Sequence, residues 1–388
     1  TPASEMEMIN TKLAKERLTI FQEISEKIKL KYKKRLLNKQ VKVLFENKMI
    51  KEKNKYFLEH IKKLNTHHLN RCKGYKKILK FHYHKKNNIK NLGDLPYLPS
   101  SIFKTHNLKS IKNHDSFKEI QSSGTSSKNK SKIFLDAFNA KNQMIVLNKL
   151  FSKIIGKNRL PIIFAEQNPS NNKIKNFNAK TSAIYGFSMF SSDKFFLIND
   201  KNKIDYSGLN KFLEKHCKKK FLIFGFTSSI YQNLIINLDI KKLNLKMDNS
   251  QLVHGGGWKK LENLKISSDE FKKKLHCKLG INSVINYYGV VEQTGSIFFE
   301  SSECGFFHTS SFSDIIIRDK NLEIEKNGNR GLVQLISLLP TSYPGHNILT
   351  EDIGTVHGED DCRCGLKGKY FKIHGRAKQA ELRGCSDV

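Results

Sequence analysis

SVINYYGVVEQTG, residues 283–295, is the run from which the fold class follows most directly. Its first seven residues are rich in β-branched and aromatic side chains and end at Gly289, so they predict a strand followed by a turn. Glu292 lies in that turn and is therefore expected just beyond the carboxyl end of the strand.

Four other apolar runs have the same strand character, and segments with helical periodicity lie among them. The strands are expected at LPIIFAE (160–166), KKFLIFGF (219–226), DIIIRD (314–319) and GLVQLISL (331–338). Helices are expected over 139–155 and 207–217, where apolar residues recur at helical spacing. This alternation of strands and helices favours an α/β fold.

The first 92 residues differ from the rest because they are polar, basic and free of proline after Pro2. Apolar residues recur there at helical spacing, as in Tyr56, Phe57, Ile61 and Leu64. NLGDLPYLPSSIF (91–103) then marks a change of architecture. We expect a helical basic N-terminal region over 1–92, an α/β core over 93–374, and a hinge with a C-terminal tail over 375–388.

Composition excludes several classes of protein. Hydrophobic residues make up 38% of the 388, which argues against wholesale disorder. No run approaches the roughly 20 apolar residues of a transmembrane helix, and the N-terminus lacks an apolar signal core. Seven cysteines, an odd number, favour reduced thiols over a disulfide scaffold. We therefore expect a soluble cytoplasmic protein.

The net charge of +33 has two interpretations. Either it is an electrostatic footprint for an anionic partner, or it reflects a compositional bias that places lysine at neutral surface positions. No zinc-finger spacing, RNP-like strand or basic heptad accompanies the charge, so a nucleic-acid partner is not expected.

Three glycine-containing motifs and one acidic turn suggest a binding site. QSSGTSSKNK (121–130) packs hydroxyl groups and backbone N–H groups around a glycine, as an anion site does, although a flexible surface loop has the same composition. VHGGGW (253–258) allows close approach of the backbone to a flat ligand. TEDIG (350–354) supplies a carboxylate, and HGR (374–376) a guanidinium.

Taken in order, these motifs resemble the adenylate-forming (acyl-activating) superfamily. SSGTSSKNKS, HGGGWKK, YGVVEQTGSIFFE, TEDIG and GRAKQAELRGCSD are most similar to the acyl-protein synthetase family, the long-chain-fatty-acid–luciferin-component ligases. The resemblance covers about residues 95–388. It implies the large-domain fold of these enzymes, with ATP and Mg²⁺ as cofactors and a carboxylic acid as substrate.

The resemblance also implies a role for each motif residue. Glu292 is expected to bind Mg²⁺, Asp352 the ribose hydroxyls, and Arg376 the ribose or a phosphate. The phosphates of ATP are expected against Ser122, Ser123, Gly124, Thr125, Ser126, Ser127 and Lys130. The adenine is expected against Gly255, Gly256, Gly289 and the ring of Tyr288.

The C-terminal end departs from the longer members of the superfamily. Those enzymes continue into a small domain that carries a catalytic lysine, and we expect that domain to be absent or truncated here. The resemblance implies that the acyl acceptor is Cys385, in RGCSD. A partner reductase, a carrier protein and coenzyme A remain alternatives.

Four further residues have the chemistry of zinc ligands. Cys304 and His308 form one pair, and Cys362 and Cys364 form another. Thiolates and imidazole are the donors that Zn²⁺ prefers, but neither pair has the usual C-x₂₋₄-C spacing. Two unrelated groups of reduced thiols are the alternative to a structural zinc site.

Two smaller sets of residues also have a functional and a structural interpretation. His254, beside the three glycines, either polarises a carbonyl or is a packed, hydrogen-bonded core residue. Phe224, Phe226 and Thr227 either line an acyl pocket or pack in the core.

The sequence therefore predicts an ATP-dependent ligase that forms an acyl-adenylate and passes the acyl group to a thiol. The alternatives are an acyl-CoA ligase-like enzyme of lipid or surface-polysaccharide biosynthesis, and a basic anion-binding or nucleic-acid-binding protein with vestigial motifs.

Overall fold

The computed structural model describes residues 50–82, 89–112, 115–116, 118–122, 130–169, 178–258 and 266–377, with no side-chain description for 50–54 and 82. The chain divides into two units, Thr1–Lys53 and Asn54–Val388, and nearly all described residues belong to the second. Ser123–Ser127 and Cys385 lie outside the described residues.

The described secondary structure alternates between helices and strands over much of its length. The strands are β1 (Leu98–Pro99), β2 (Lys118–Gln121), β3 (Lys132–Leu135), β4 (Leu160–Gln167), β5 (Ser191–Ile198), β6 (Phe221–Phe226), β7 (Ser250–Gly255), β8 (Ser283–Tyr288), β9 (Phe298–Phe299), β10 (Phe307–His308), β11 (Ser313–Arg318), β12 (Gly331–Ser337), β13 (Asn347–Glu359) and β14 (Lys369–Arg376). The α-helices are Ile50–Arg71, Lys73–His82, Ile102–Thr105, Ala137–Ile155, Ala179–Ser188, Tyr206–His216, Thr227–Ile230 and Ser268–Leu279.

A six-stranded sheet forms the centre of the α/β part, with the strand order β5-β4-β6-β7-β8-β9. The first five of these strands are parallel, and β9 pairs antiparallel with β8. All six residues of β6, FLIFGF, are buried, as expected for a central parallel strand covered on both faces. This arrangement brings the carboxyl ends of β4, β6, β7 and β8 to one edge.

The helices around this sheet begin where the sequence supplies a side-chain oxygen for the first free backbone N–H groups. Asp136 accepts a hydrogen bond from the backbone N–H of Asn139, and Ser267 accepts one from that of Glu270. Asn178 and Asp205 cap the helices that follow them in the same way. Local sequence therefore fixes the starts of the four longer connecting helices.

A second six-stranded sheet has the order β10-β14-β13-β12-β11, and β1 pairs parallel with β13. Its other pairings are antiparallel. The strand β13 is 13 residues long and pairs with β1, β12 and β14. β2 and β3 form a separate two-stranded antiparallel sheet.

The helix Ile50–Arg71 packs on the second sheet through one apolar face. Phe57, Ile61 and Leu64 are buried in one cluster with Ile316 and Ile336. Burying a large apolar side chain contributes about 1.5–3 kcal/mol, so this face alone is a substantial part of the helix's stability. The helical spacing read from Tyr56 to Leu64 is confirmed.

Most sequence-based expectations of secondary structure are confirmed within the described residues. The five apolar runs form β4, β6, β8, β11 and β12, and both predicted helices are present. Four strands of five residues or more, β5, β7, β13 and β14, were not among the expected ones. None of the described helices has an apolar stretch of the length that a bilayer crossing requires. The domain boundaries near residues 92 and 375 stay predictions.

Candidate functional site

The candidate site lies at the carboxyl edge of the central sheet, where ligands bind in open α/β sheets. Gly255, the last residue of β7, is in register with Tyr287 near the end of β8. The turn that carries Glu292 follows β8 directly. The sheet thus places the glycine motif and the glutamate motif side by side.

Glu292 lies in an electrostatic cluster with Ser131, Asp352 and Arg376. Burial raises the pKa of Glu292, and the negative charge of Asp352 acts in the same direction. The Ser131 hydroxyl and the Arg376 guanidinium oppose that shift. Burial destabilises the ionised form of Glu292, and the charge of Arg376 offsets this only in part. A bound cation, or a cationic group of a ligand, would stabilise the ionised form further.

Asp352 is held by Tyr288 and Arg376. The Tyr288 hydroxyl donates a hydrogen bond to Asp352 Oδ2 at 2.7 Å, and Arg376 Nε lies 3.9 Å from Asp352 Oδ1. Burial raises the pKa of Asp352, while the Tyr288 hydrogen bond and the Arg376 charge lower it. Arg376 is directly opposite Asp352 in the β13–β14 pairing, which explains their proximity.

The hairpin of β2 and β3 brings Ser122 and Ser131, which lie on either side of residues 123–129, to this cluster. The backbone N–H of Ser122 donates to the Ser131 carbonyl at 2.9 Å, and the backbone N–H of Ser131 donates to Ser122 Oγ at 3.0 Å. Residues 122 and 131 are therefore hydrogen-bonded to each other at the two ends of the serine-rich loop, and Ser131 lies close enough to Glu292 to lower the pKa of its carboxyl. Lys130, the residue before Ser131, is half-buried.

The glycine motif after β7 is shaped by close packing. A Cβ atom on Gly255 would lie 2.6 Å from the backbone oxygen of Tyr287, so only glycine fits without a shift of the strands. Gly256 has φ of +76°, in the left-handed region that favours glycine. A Cβ on Gly289 would lie 2.6 Å from the Ser296 carbonyl oxygen. The ring next to Gly255 is that of Tyr287, whose Cδ1 atom would lie 2.6 Å from a Cβ on Gly255.

His254 is a buried residue with a hydrogen-bond partner. Its Nδ1 lies 2.9 Å from Thr227 Oγ1, and that hydroxyl also donates to the carbonyl of Gly256 at 2.9 Å. A hydroxyl has one proton, so His254 Nδ1–H is the donor when Thr227 donates to the carbonyl. Burial lowers the pKa of His254 to about 3, and the ring is therefore neutral. This geometry matches the core interpretation of His254.

The three residues considered for an acyl pocket are all buried. The ring of Phe224 stacks on Phe187 with a centroid distance of 4.1 Å. The backbone N–H of Phe226 donates to Glu166 Oε1 at 3.2 Å. Core packing accounts for the contacts of these side chains.

The four predicted zinc ligands form one cluster, although two stretches of chain far apart in sequence supply them. Their ligand atoms all lie within 4.8 Å of one another. His308 Nε2 lies 3.4 Å from Cys304 Sγ and 3.4 Å from Cys364 Sγ, and the sulfurs of Cys362 and Cys364 are 3.5 Å apart. The interpretation as two unrelated thiol groups is wrong because the β10–β14 pairing brings them together.

Several residues near the site were not singled out from the sequence. Glu351 lies 3.7 Å from Arg376 Nη1 and 3.8 Å from Lys104 Nζ. Buried Glu166 forms an ion pair with Lys180 at 2.9 Å on the same edge of the sheet. A glutamate that ends an apolar strand, as in LPIIFAE, was the available signal for Glu166. Ser131 is the last residue of the quoted motif SSGTSSKNKS, but no role was assigned to it from the sequence.

The side chains of the cluster fit a nucleotide with its magnesium ion. Carboxylate oxygens are ligands that Mg²⁺ accepts, and Glu292 supplies them at the end of β8. Thr294, two residues further on, has a buried Oγ1 without a hydrogen-bond partner among the described residues. Arg376 supplies the positive charge that an anionic ligand requires.

Tyr288→Phe is expected to lower the free energy of unfolding by about 1.5–3 kcal/mol, the usual contribution of a hydrogen bond to a charged group. Chemical denaturation measures this change. A double-mutant cycle with Asp352→Asn isolates the Tyr288–Asp352 interaction, and purely additive effects of the two substitutions would contradict the assignment.

Solved structures identify the fold as that of the adenylate-forming ligases. An open conformation of 2-hydroxyisobutyryl-CoA ligase in complex with 2-HIB-AMP and CoA matches with a TM-score of 0.65 at 14% identity, over 84% of this chain and 70% of that one. The same ligase in the postadenylation state, with 2-HIB-AMP, also gives 0.65, over 84% and 68%.

Sequence comparison gives the family. The acyl-protein synthetase (LuxE) family model matches residues 39–388. The long-chain-fatty-acid–luciferin-component ligase of Vibrio harveyi is 22% identical over 315 residues, which cover 77% of this chain and 78% of the relative. The chain belongs to the acyl-protein synthetase (LuxE) family and is an AMP-forming ligase.

Proposed function

We propose that this protein uses ATP and Mg²⁺ to convert a fatty acid into an acyl-adenylate and then transfers the acyl group to a thiol. The observation that carries the proposal is the cluster of Glu292, Asp352, Arg376 and Tyr288 beside the base of the serine-rich loop. Tyr288 and Glu292 lie at the end of β8, the sheet edge where α/β proteins bind ligands, and Asp352 and Arg376 reach them from the second sheet.

The first half of the reaction is a displacement at phosphorus. A carboxylate oxygen of the acid attacks the α-phosphorus of ATP, the bond to the bridging oxygen breaks, and pyrophosphate leaves. In the second half, a thiolate sulfur attacks the acyl carbon, and AMP leaves with the oxygen that the acid supplied. Catalysis of such steps relies on positioning and on neutralising charge.

The residues of the cluster divide this work among themselves. Glu292 would hold the Mg²⁺ ion, which neutralises charge on the phosphates. Asp352, oriented by the Tyr288 hydroxyl, would accept hydrogen bonds from the ribose hydroxyls. Arg376 would contact the ribose or a phosphate, and the loop between Ser122 and Ser131 would bind the phosphates through N–H groups and hydroxyls.

The acid and the acceptor are the finer parts of the proposal. A fatty acid is supported by the printed name of the Vibrio harveyi relative. For the acceptor we propose Cys385, with a carrier protein or coenzyme A as alternatives. The cysteine and histidine cluster lies outside this chemistry, and we assign it to Zn²⁺ because thiolates and imidazole are that ion's preferred donors.

Acid-dependent ATP–pyrophosphate exchange tests the adenylation step. We expect exchange with fatty acids from a panel that runs from acetate to long-chain and aromatic acids, and none without acid. No exchange with any acid, from folded protein, would overturn adenylation and favour a basic binding protein with vestigial motifs. Salt-sensitive binding to nucleic acid would then be the next measurement.

Labelling with a radioactive acid tests the acceptor separately. Cys385→Ser is expected to retain exchange and lose the hydroxylamine-sensitive label on the protein. Cys277→Ser, which removes an exposed thiol, is the matched control and is expected to keep the label. Persistent labelling of Cys385→Ser would assign the acceptor role to another thiol.

A further inference from the structure

The geometry of the cluster formed by Cys304, His308, Cys362 and Cys364 matches a four-coordinate zinc site. A tetrahedron with Zn–S of about 2.3 Å and Zn–N of about 2.0–2.1 Å has S···S edges of about 3.8 Å and S···N edges of about 3.6 Å. The sulfurs of Cys362 and Cys364 are 3.5 Å apart. His308 Nε2 lies 3.4 Å from the sulfur of Cys304 and 3.4 Å from that of Cys364. The side chains need only small shifts to accept the ion.

The four protein ligands give this site a structural character. Structural zinc sites are closed by four protein side chains, whereas catalytic sites keep one position for water or substrate. Cys304 and Cys362 are buried, and the His308 ring stacks on Tyr370 with a centroid distance of 5.9 Å. The ring is therefore held by packing in the orientation that directs Nε2 at the thiols.

The cluster joins two turns that are distant in the sequence. Cys304 lies in the turn between β9 and β10, which the backbone N–H of Gly305 closes by donating to the Ser301 carbonyl at 2.8 Å. Cys362 and Cys364 lie in the turn between β13 and β14. Apart from a metal, the two segments are linked by β10, which pairs with β14 at two positions, and by Thr309, whose backbone N–H donates to the Lys369 carbonyl and whose Oγ1 accepts from the Lys369 N–H, both at 2.9 Å.

We infer that zinc at this cluster is a clamp that fixes the edge strand β10 and the start of β14, and thereby keeps Arg376, at the end of β14, opposite Asp352. An edge pairing of two residues, extended only by the Thr309–Lys369 hydrogen bonds, is short, and two irregularities interrupt the pairing of β14 with β13. A zinc ion bound to both turns would hold β10 in register with β14, where the hydrogen-bonded pairing is shortest. This inference rests on the proposed function only through the zinc ion assigned to the cluster.

Metal analysis of the full-length chain, purified without chelators, tests occupancy. We expect about one zinc ion per chain for the unaltered protein and for Cys277→Ser, and less than about a tenth of an ion for His308→Ala. His308→Cys, which replaces one zinc ligand by another, is expected to restore binding. Folded protein that takes up no zinc even when supplied with it would overturn the inference.

Backbone amide hydrogen exchange tests the clamp. Chelation is expected to speed exchange in residues 301–308 and 360–376 of the unaltered protein and to leave β4, β6 and β7 unchanged. In His308→Ala, exchange in those two segments should already be fast and insensitive to the chelator. Unchanged exchange on zinc removal would overturn the clamp even if zinc binds.

These readouts separate the clamp from the adenylation proposal. Zinc binding is measured by metal content and the clamp by backbone amide exchange. Neither measurement needs acid, ATP or product. Loss of zinc together with protected turns counts against the clamp alone. A zinc-containing protein without pyrophosphate exchange counts against adenylation alone.

Discussion

Replacing Glu292 with glutamine is expected to lower acid-dependent ATP–pyrophosphate exchange by about a hundredfold or more, the scale on which loss of one preorganised electrostatic contact acts. The amide has nearly the same shape as the carboxylate but carries no charge for Mg²⁺. Burial raises the pKa of Glu292 and so makes its ionised form costly. The substitution is therefore expected to leave the fold intact or slightly more stable.

The matched control is Glu323→Gln, at an exposed position in the turn after β11. It removes the same charge from the chain and is expected to keep full exchange activity. Circular dichroism and thermal melting check that both variants are folded. Near-normal exchange by Glu292→Gln would remove the proposed magnesium role of this residue.

Gly255→Ala is expected to lower the free energy of unfolding by about 1–3 kcal/mol, as overpacking of a tight interior does. The added Cβ would lie 2.6 Å from both the backbone oxygen and the Cδ1 atom of Tyr287. Backbone cannot rotate out of the way, so β7 and β8 must separate locally. Because β8 leads into the turn of Glu292, pyrophosphate exchange should fall together with stability.

Gly257→Ala is the control for this prediction, because a Cβ there would meet no atom within 4 Å among the described residues beyond its chain neighbours, and its φ is not positive. Chemical denaturation of the two variants is expected to show a loss for Gly255→Ala and little change for Gly257→Ala. Equal free energies of unfolding for the two variants would mean that β7 and β8 are farther apart in solution than the 2.6 Å approach at Gly255 implies.

The strands that the sequence predicted have apolar runs interrupted by at most one polar residue, such as Asn286 in β8 and Gln334 in β12. LPIIFAE and FLIFGF are buried on both faces and have no competing pattern. The strand β13, NILTEDIGTVHGE, contains two glycines and three acidic residues, and burial alternates irregularly along it. Tertiary pairing with β1, β12 and β14 overrides its weak strand propensity, and that pairing is not visible in a local window.

The candidate site, too, could be predicted from the sequence only in part. The residue types of the zinc cluster were recognisable, but only the β10–β14 pairing brings Cys304 within reach of Cys362. Glu292, Asp352 and Arg376 were expected in one site through the resemblance, whereas the Tyr288–Asp352 hydrogen bond requires the structure. The roles of Ser123–Ser127 and Cys385 stay predictions, since these residues lie outside the described part of the chain.

The register of β13, which sets Asp352 opposite Arg376, limits where the length of this chain can change in evolution. Glu351 and Asp352 both lie near Arg376, in a part of β13 where the pairing with β12 shifts register between Leu349 and Ile353. An insertion or deletion of one residue before them would shift Asp352 out of register with Arg376 and move its carboxylate away from Tyr288. Length differences among relatives are therefore expected in surface turns such as residues 319–330, and the stretch from Asn347 to Asp352 is expected to keep a constant length.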